Sequence, residues 1–306
     1  MSVLNKQNKG YADIKRIKGV RWLLLWVMLT QFVVKVATSA VVSFIPKTSA
    51  GFERYSNYIQ LGIVTILTFL IPIMVYGMTA WKKTERADAE EMRFNRFSPK
   101  LVGFIVVMAI SGQFVIALLN LPLGTLFGAH RGGLEPLSLG EVVVAILVTA
   151  VLPGILEEFW MRGIVLSVYE RRSTFVAIFF TTIMFALLHG NFVKLPGFLL
   201  LGFIAAVITI RTNSVYAAML YHIVNNATSV LYAYIDANYP IGDVFAWTFF
   251  AIMIPVFIAS LVCFLVVSPK RKRAKCKREG SMLMKNFFSI PVILCFVLVY
   301  LKIKFY

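Results

Sequence analysis

Charge is what this sequence has least of. Only 15% of its 306 residues are charged, whereas the wetted surface of a soluble domain takes about a quarter. Acidic residues are scarcer still, fourteen Asp and Glu against thirty-one Lys and Arg. Cysteine is limited to Cys263, Cys276 and Cys295. They lack metal-type spacing, which argues against a disulfide framework or a zinc knuckle. No internal repeat is visible, and that weighs against the two-half symmetry of many carriers. No small-residue cleavage site follows the first apolar run, which starts late and is expected to stay as an anchor rather than leave as a signal peptide.

What the chain has instead is apolar length. It is 59% hydrophobic with a mean hydropathy of +0.80. Crossing a hydrocarbon core takes roughly 20 apolar residues in helical conformation, and the buried backbone must satisfy itself. The runs are continuous rather than alternating, which excludes a β-barrel reading. The expected fold is therefore an all-α, polytopic transmembrane helical bundle of eight or nine spans. These are Trp22–Ile45, Tyr58–Ala80, Leu101–Leu121, Val142–Tyr169, Phe175–His189, Leu195–Ile210, Ser214–Ala233 and Val244–Val267, with Asn286–Leu301 as the ninth candidate.

The net charge of +17 raises the question of nucleic acid, and the placement of the charges answers it. With a cytoplasmic N-terminus and alternating loops, twenty-three Lys and Arg fall on inner segments. Four fall outside: Lys47, Arg54, Arg131 and Lys194. Such asymmetry is the positive-inside pattern of a multi-pass protein of the cell membrane. Nucleic-acid binding needs no such alternation and is not expected. The run Lys270-Arg271-Lys272-Arg273 reads as a topology determinant set against anionic lipid.

Three parts separate along the chain. Residues 1–100 hold a basic tail, two spans and a charged inner loop ending at Ser98-Pro99. Residues 101–233 hold five closely connected spans, and residues 234–306 one or two spans around a basic loop.

Ionisable groups inside spans cost a few kcal/mol or more each, so each needs a reason. The fourth span carries Glu157-Glu158 and, one turn on, Arg162. The fifth ends in His189, and the seventh contains His222 and Asn226. The third histidine, His130, sits beside Gly132-Gly133 in an outer loop and reads as an exposed loop residue. Glu158 and Arg162 are at i, i+4, within ion-pair reach. Glu157 is rotated by about 100° and has no cation one turn away. These three residues alone fit a structural ion-pair network as well as a catalytic site.

Depth separates the two readings. Counted from the turns near Ser173 and Thr212, Glu157, Glu158, His189, His222 and Asn226 fall within a slab roughly 9 Å thick. A carboxylate beside an imidazole can activate water. A second imidazole and an amide are suitable oxyanion donors. Those parts suffice for peptide hydrolysis by water. A zinc set, Glu157 or Glu158 with His189 and His222, stays open as the second choice, because the HExxH spacing is absent.

These motifs resemble the CAAX-protease and bacteriocin-processing (CPBP) group of intramembrane peptidases, whose pattern is EExxxR, FxxxH and HxxxN on successive core helices. Here they read Glu157-Glu158-Phe159-Trp160-Met161-Arg162, Phe185 to His189 and His222 to Asn226, within about residues 139–233. The resemblance implies that Glu157 and His189 activate water, that His222 and Asn226 stabilise the oxyanion, and that Glu158 and Arg162 support the site. It implies an intramembrane endopeptidase acting on a membrane-associated peptide or protein. The family is often labelled metalloprotease, yet this arrangement also supports a metal-free glutamate mechanism, so no cofactor is expected and zinc stays the alternative. Two other functions fit the same residues. One is a non-proteolytic accessory or bacteriocin-immunity protein of the same fold, and the other a proton-coupled carrier.

Overall fold

Helix is the one conformation in which a continuous apolar run can pair every backbone group within itself, and the chain is built accordingly. The computed structural model describes residues 3–44, 50–80, 92–127, 136–239, 242–270 and 279–305. Ten helices and no strand occur among the described residues. They are α1 (Val3–Ser43), α2 (Ala50–Ala80), α3 (Val102–Phe127), α4 (Leu139–Glu170), α5 (Thr174–His189), α6 (Leu195–Thr212), α7 (Val215–Asn238), α8 (Asp243–Val267), α9 (Glu279–Phe287) and α10 (Ile290–Phe305). The all-α polytopic class expected from the sequence is the one observed. His130, Cys276 and the basic residues Lys47, Lys82, Lys83, Arg86, Arg131 and Arg271–Arg273 lie outside the described residues.

Among the described residues, six helices are long and apolar enough to cross a membrane. The count becomes seven if α9 and α10, bent by 55° at their junction, form one span. Each of the eight main expected spans is occupied by a helix, but α5 and α7 stand outside the six. α5 has only 16 residues, and α7 carries His222, Asn225 and Asn226 at its middle with Thr228, Ser229, Asp236 and Asn238 beyond them. Both contribute site residues.

Local chemistry sets the helix ends that position the site. Ser138 caps α4 by accepting from the Glu141 N–H. Glu141, in the first turn of α4, is buried: its carboxylate accepts from the Leu137 N–H at 2.9 Å and from Arg54 Nε of α2 at 3.1 Å. The α4–α5 turn closes at Ser173, whose hydroxyl accepts from the Val176 N–H. α5 stops at Gly190 (φ 58°), in the left-handed conformation that glycine adopts without a Cβ penalty. α6 stops at Asn213 in the same conformation (φ 54°). Short turns thus bring α4, α5, α6 and α7 together as packed neighbours.

Pro153-Gly154 reads in the sequence as a kink, yet α4 runs through it unbroken. The helix widens into π-helical stretches at Ile146–Val151 and Phe159–Leu166, on either side of Pro153 and the glutamates. Insertions of this type accommodate backbone mismatch without ending a helix. Gly154 also serves a close contact. A Cβ placed on it would lie 2.5 Å from Ile223 Cγ1 and 3.3 Å from the Ile223 backbone nitrogen on α7.

An extended clasp, residues 92–98, crosses the ends of α4, α6 and α7. Arg93 pairs with Glu170, and the Arg93 carbonyl accepts from the Val215 N–H at 2.9 Å. Asn95 donates to the Asn213 carbonyl at 3.1 Å, and Ser214 donates to the Asn95 carbonyl. The Phe94 ring stacks on Phe159 at 5.7 Å.

Gly154→Ala tests the α4–α7 crossing, because overpacking a tight contact costs about 1–3 kcal/mol. Thermal unfolding in detergent is expected to fall, and adding Ile223→Ala is expected to recover part of the loss. No coupling between the two substitutions would mean that the crossing is not set by Gly154.

Candidate active site

The site has two layers, and burial separates them. Glu158 and Arg162 are completely buried and His222 is 1% exposed. Glu157 and His189 retain 16% and 23% side-chain exposure.

The inner layer is a charge network. Arg162 Nη1 donates to Glu158 Oε1 at 3.0 Å, the pairing expected from their spacing. His222 Nδ1 lies 2.8 Å from the same oxygen. Arg162 Nη2 donates to the Gly202 carbonyl of α6 at 2.9 Å. The guanidinium also sits 4.7 Å from the centre of the Phe185 ring, a cation–π contact that strengthens when desolvated. One arginine therefore ties α4, α5 and α6 together. Gly202 makes this possible: a Cβ there would lie 3.1 Å from the Phe185 ring.

The outer layer is a carboxylate–imidazole pair. His189 Nδ1 is 2.9 Å from the Phe185 carbonyl, which can only accept, so Nδ1 carries the proton. Nε2 then turns toward Glu157, with Nε2 to Oε2 at 3.7 Å. That separation exceeds direct hydrogen-bond range. A single oxygen atom set between the two groups can reach both.

Asn226 donates to the Thr149 carbonyl at 3.0 Å. Thr149 stands four residues before Pro153, whose missing N–H leaves that carbonyl without its usual helical donor. The proline thus explains why the amide is held where it is, and the second amide N–H and Oδ1 remain for other work. The adjacent Asn225 is buried and donates to the Ala109 carbonyl of α3 at 3.0 Å. It fastens α7 to α3.

The zinc alternative requires three ligands at one point. Among the described residues, no three His, Cys, Asp or Glu side chains gather as a metal-ligand set. Glu158 Oε1, moreover, is engaged by both Arg162 and His222.

Sequence reasoning names the six polar residues but not what holds them. Gly154, Gly202 and the Thr149 carbonyl carry no side-chain signal of their role. Phe185 enters the motif as a spacer, yet its ring contacts Arg162, His189 at 4.8 Å and His222 at 5.7 Å, and its carbonyl orients His189. The neighbouring aromatic residues Phe159 and Trp160 differ. Trp160 is buried and donates to the Phe69 carbonyl of α2 at 3.3 Å, while Phe159 meets the clasp.

Fold and site together define a polytopic membrane protein with an acid–imidazole centre enclosed by its helices. Residues 139–228 match the family model described as "Type II CAAX prenyl endopeptidase Rce1-like". The chain is also 22% identical over 178 residues to the Bacillus subtilis (strain 168) protein named "Putative membrane peptidase YdiL", covering 55% of this chain and 69% of that one. Both findings support a peptidase of the CPBP group, the family whose motifs the sequence resembles, and a CAAX-type membrane peptidase in general terms. No solved structure matches the chain.

Arg162→Ala would leave Glu158 buried without its cation, a loss of about 3–5 kcal/mol. Arg162→Lys keeps the charge but cannot present the planar donor fork. Both variants are expected to unfold at lower temperature in detergent, the alanine variant more so. Parental stability of an inactive Arg162→Ala would assign the arginine to chemistry instead.

Proposed function

We propose that this protein is an intramembrane endopeptidase that hydrolyses a peptide bond with water activated between Glu157 and His189. The observation that carries the reading is the facing of His189 Nε2 and Glu157 Oε2 across 3.7 Å, with Nδ1 tied to a backbone carbonyl. A water held there donates one hydrogen to the Nε2 lone pair and the other to the carboxylate.

Glu157 takes a proton as the water oxygen bonds to the scissile carbonyl carbon. The carbonyl oxygen gains negative charge, and the unspent Asn226 N–H and His222 Nε2 are its proposed donors. Nε2 donates only in the imidazolium form, because Nδ1 is directed at Glu158. In that form Glu158 and Glu157 together face the two cations, His222 and Arg162. The carbon–nitrogen bond then breaks, and the proton held by Glu157 passes to the leaving amine. Glu158 and Arg162 act by fixing His222 and the helices around it.

The substrate class proposed is a membrane-associated peptide or protein. A multi-pass location in the bilayer agrees with the six apolar helices, and a cytoplasmic N-terminus is proposed from the charge asymmetry. No metal is assigned a role.

Glu157→Gln is nearly isosteric but cannot take the proton. It is expected to abolish turnover while substrate binding persists. Asn226→Ala removes one oxyanion donor and is expected to lower the rate by about 10²–10³ with little change in affinity. Single-turnover assays with separate binding measurements decide, and near-parental cleavage by Glu157→Gln would sink the mechanism.

Metal content supplies an independent check. Purified, active protein is expected to carry no stoichiometric zinc and to keep its activity after chelation. One zinc per chain, lost together with activity, would restore the metal alternative.

A further inference from the structure

We infer that Phe198 is the positioning residue that fixes the His189 imidazole against Glu157. The inference rests on the reading of His189 as a water-activating group.

His189 is the last residue of α5, immediately before the left-handed Gly190. Side chains at helix ends lack the confinement of a following turn. A hydrogen bond from Nδ1 to the Phe185 carbonyl holds one edge of the ring. The Phe198 ring bears on its face. It lies nearly parallel to the imidazole, with centroids 3.9 Å apart and an interplanar angle of 24°. Phe185 meets the imidazole as well, tilted by 59° at 4.8 Å. Both contacts bear on the plane of the ring, and with it on the direction of Nε2.

The position of Phe198 is itself fixed from α3. Gly197 donates its backbone N–H to Asn120 Oδ1 at 2.9 Å, satisfying one of the unpaired donors at the start of α6. A Cβ on Gly197 would stand 2.6 Å from Ile116 Cγ2 and 2.8 Å from Asn120 Nδ2. The absence of a side chain therefore lets the first turn of α6 press against α3. Asn120 anchors Gly197, Gly197 sets the α6 entry, and Phe198 falls over His189. None of these three residues belongs to the EExxxR, FxxxH or HxxxN motifs.

The test compares Phe198→Leu, which keeps apolar bulk without an aromatic face, with Phe198→Tyr, which keeps the face. Histidine-labelled protein in a His130→Gln background contains two imidazoles, and His189→Gln identifies the signals of His189. In the parental protein, its ring protons are expected to show the upfield shift of a stacked aromatic neighbour. Phe198→Leu is expected to abolish that shift and Phe198→Tyr to retain it. The kinetic probe is the best-cleaved member of a set of internally quenched peptides. With it, kcat is expected to fall on the order of tenfold or more in Phe198→Leu, at a KM within about twofold of the parental value. Melting temperature is expected to stay within about 2 °C, and Phe198→Tyr to restore kcat.

Parental shifts and kcat in Phe198→Leu overturn the inference. So does a raised KM with kcat intact, which makes Phe198 a substrate contact. Absence of cleavage by the parental protein counts against the peptidase reading, and the spectra then decide the ring contact alone.

Discussion

The Glu158–Arg162 pair, sealed inside the bundle, is the constraint on which the remaining geometry depends. Two full charges with no exposed surface are tolerable only where each is compensated and hydrogen-bonded. Compensation here recruits three helices besides α4. Arg162 reaches the Gly202 carbonyl on α6 and the Phe185 ring on α5, and Glu158 reaches His222 on α7. Moving any of these helices would strand a charge, so the pair converts a desolvation cost into a fixed helix arrangement. The catalytic edge proposed for Glu157 and His189 borrows its precision from that arrangement, since Glu157 is the residue next to Glu158.

The π-helical stretches fit the same requirement. An α-helix that carried Glu157, Glu158 and Arg162 past Pro153 would have a carbonyl to satisfy and a proline ring to accommodate. Widening on either side absorbs the mismatch, and Asn226 meets the Thr149 carbonyl. Glycines complete the packing where a methyl group would hold backbones apart, at Gly154 against Ile223 and at Gly202 against Phe185. Polar function and close packing are thus the same problem in this interior, solved with the smallest residues beside the most expensive ones.

Much of this was legible in the sequence because membranes make charge conspicuous. Glu158 and Arg162 stood out as ionisable residues in an apolar run, and their spacing alone announced the pair. His189 and His222 were legible by depth counted from two turns. Other features left no comparable mark. Gly202 acts through its carbonyl and its missing side chain, and Phe185 through a carbonyl and a ring face, so neither residue type signals its part. Pro153 was legible as a helix breaker, whereas its consequence, an amide bound to the carbonyl one turn earlier, depends on a helix distant in sequence. Span counting met a similar limit at α5 and α7. α5 is cut short by Gly190, and His222, Asn225 and Asn226 lower the hydropathy of α7.

The clasp at residues 92–98 bears on where the working unit of this protein begins. The family match starts at residue 139 and contains every residue given a chemical or supporting role in the proposed mechanism. Yet Arg93 neutralises Glu170 at the far end of α4, and Asn95 and the Arg93 carbonyl saturate backbone groups at Asn213 and Val215. Phe94 covers Phe159, next in sequence to the buried glutamate. A fragment cut to the conserved-looking core would expose an unpaired carboxylate, a naked helix start and an apolar ring together. The surroundings that the family-matched segment packs against therefore begin well upstream of residue 139, at the clasp from residue 92 and, through Arg54 on Glu141 and Phe69 on Trp160, in α2.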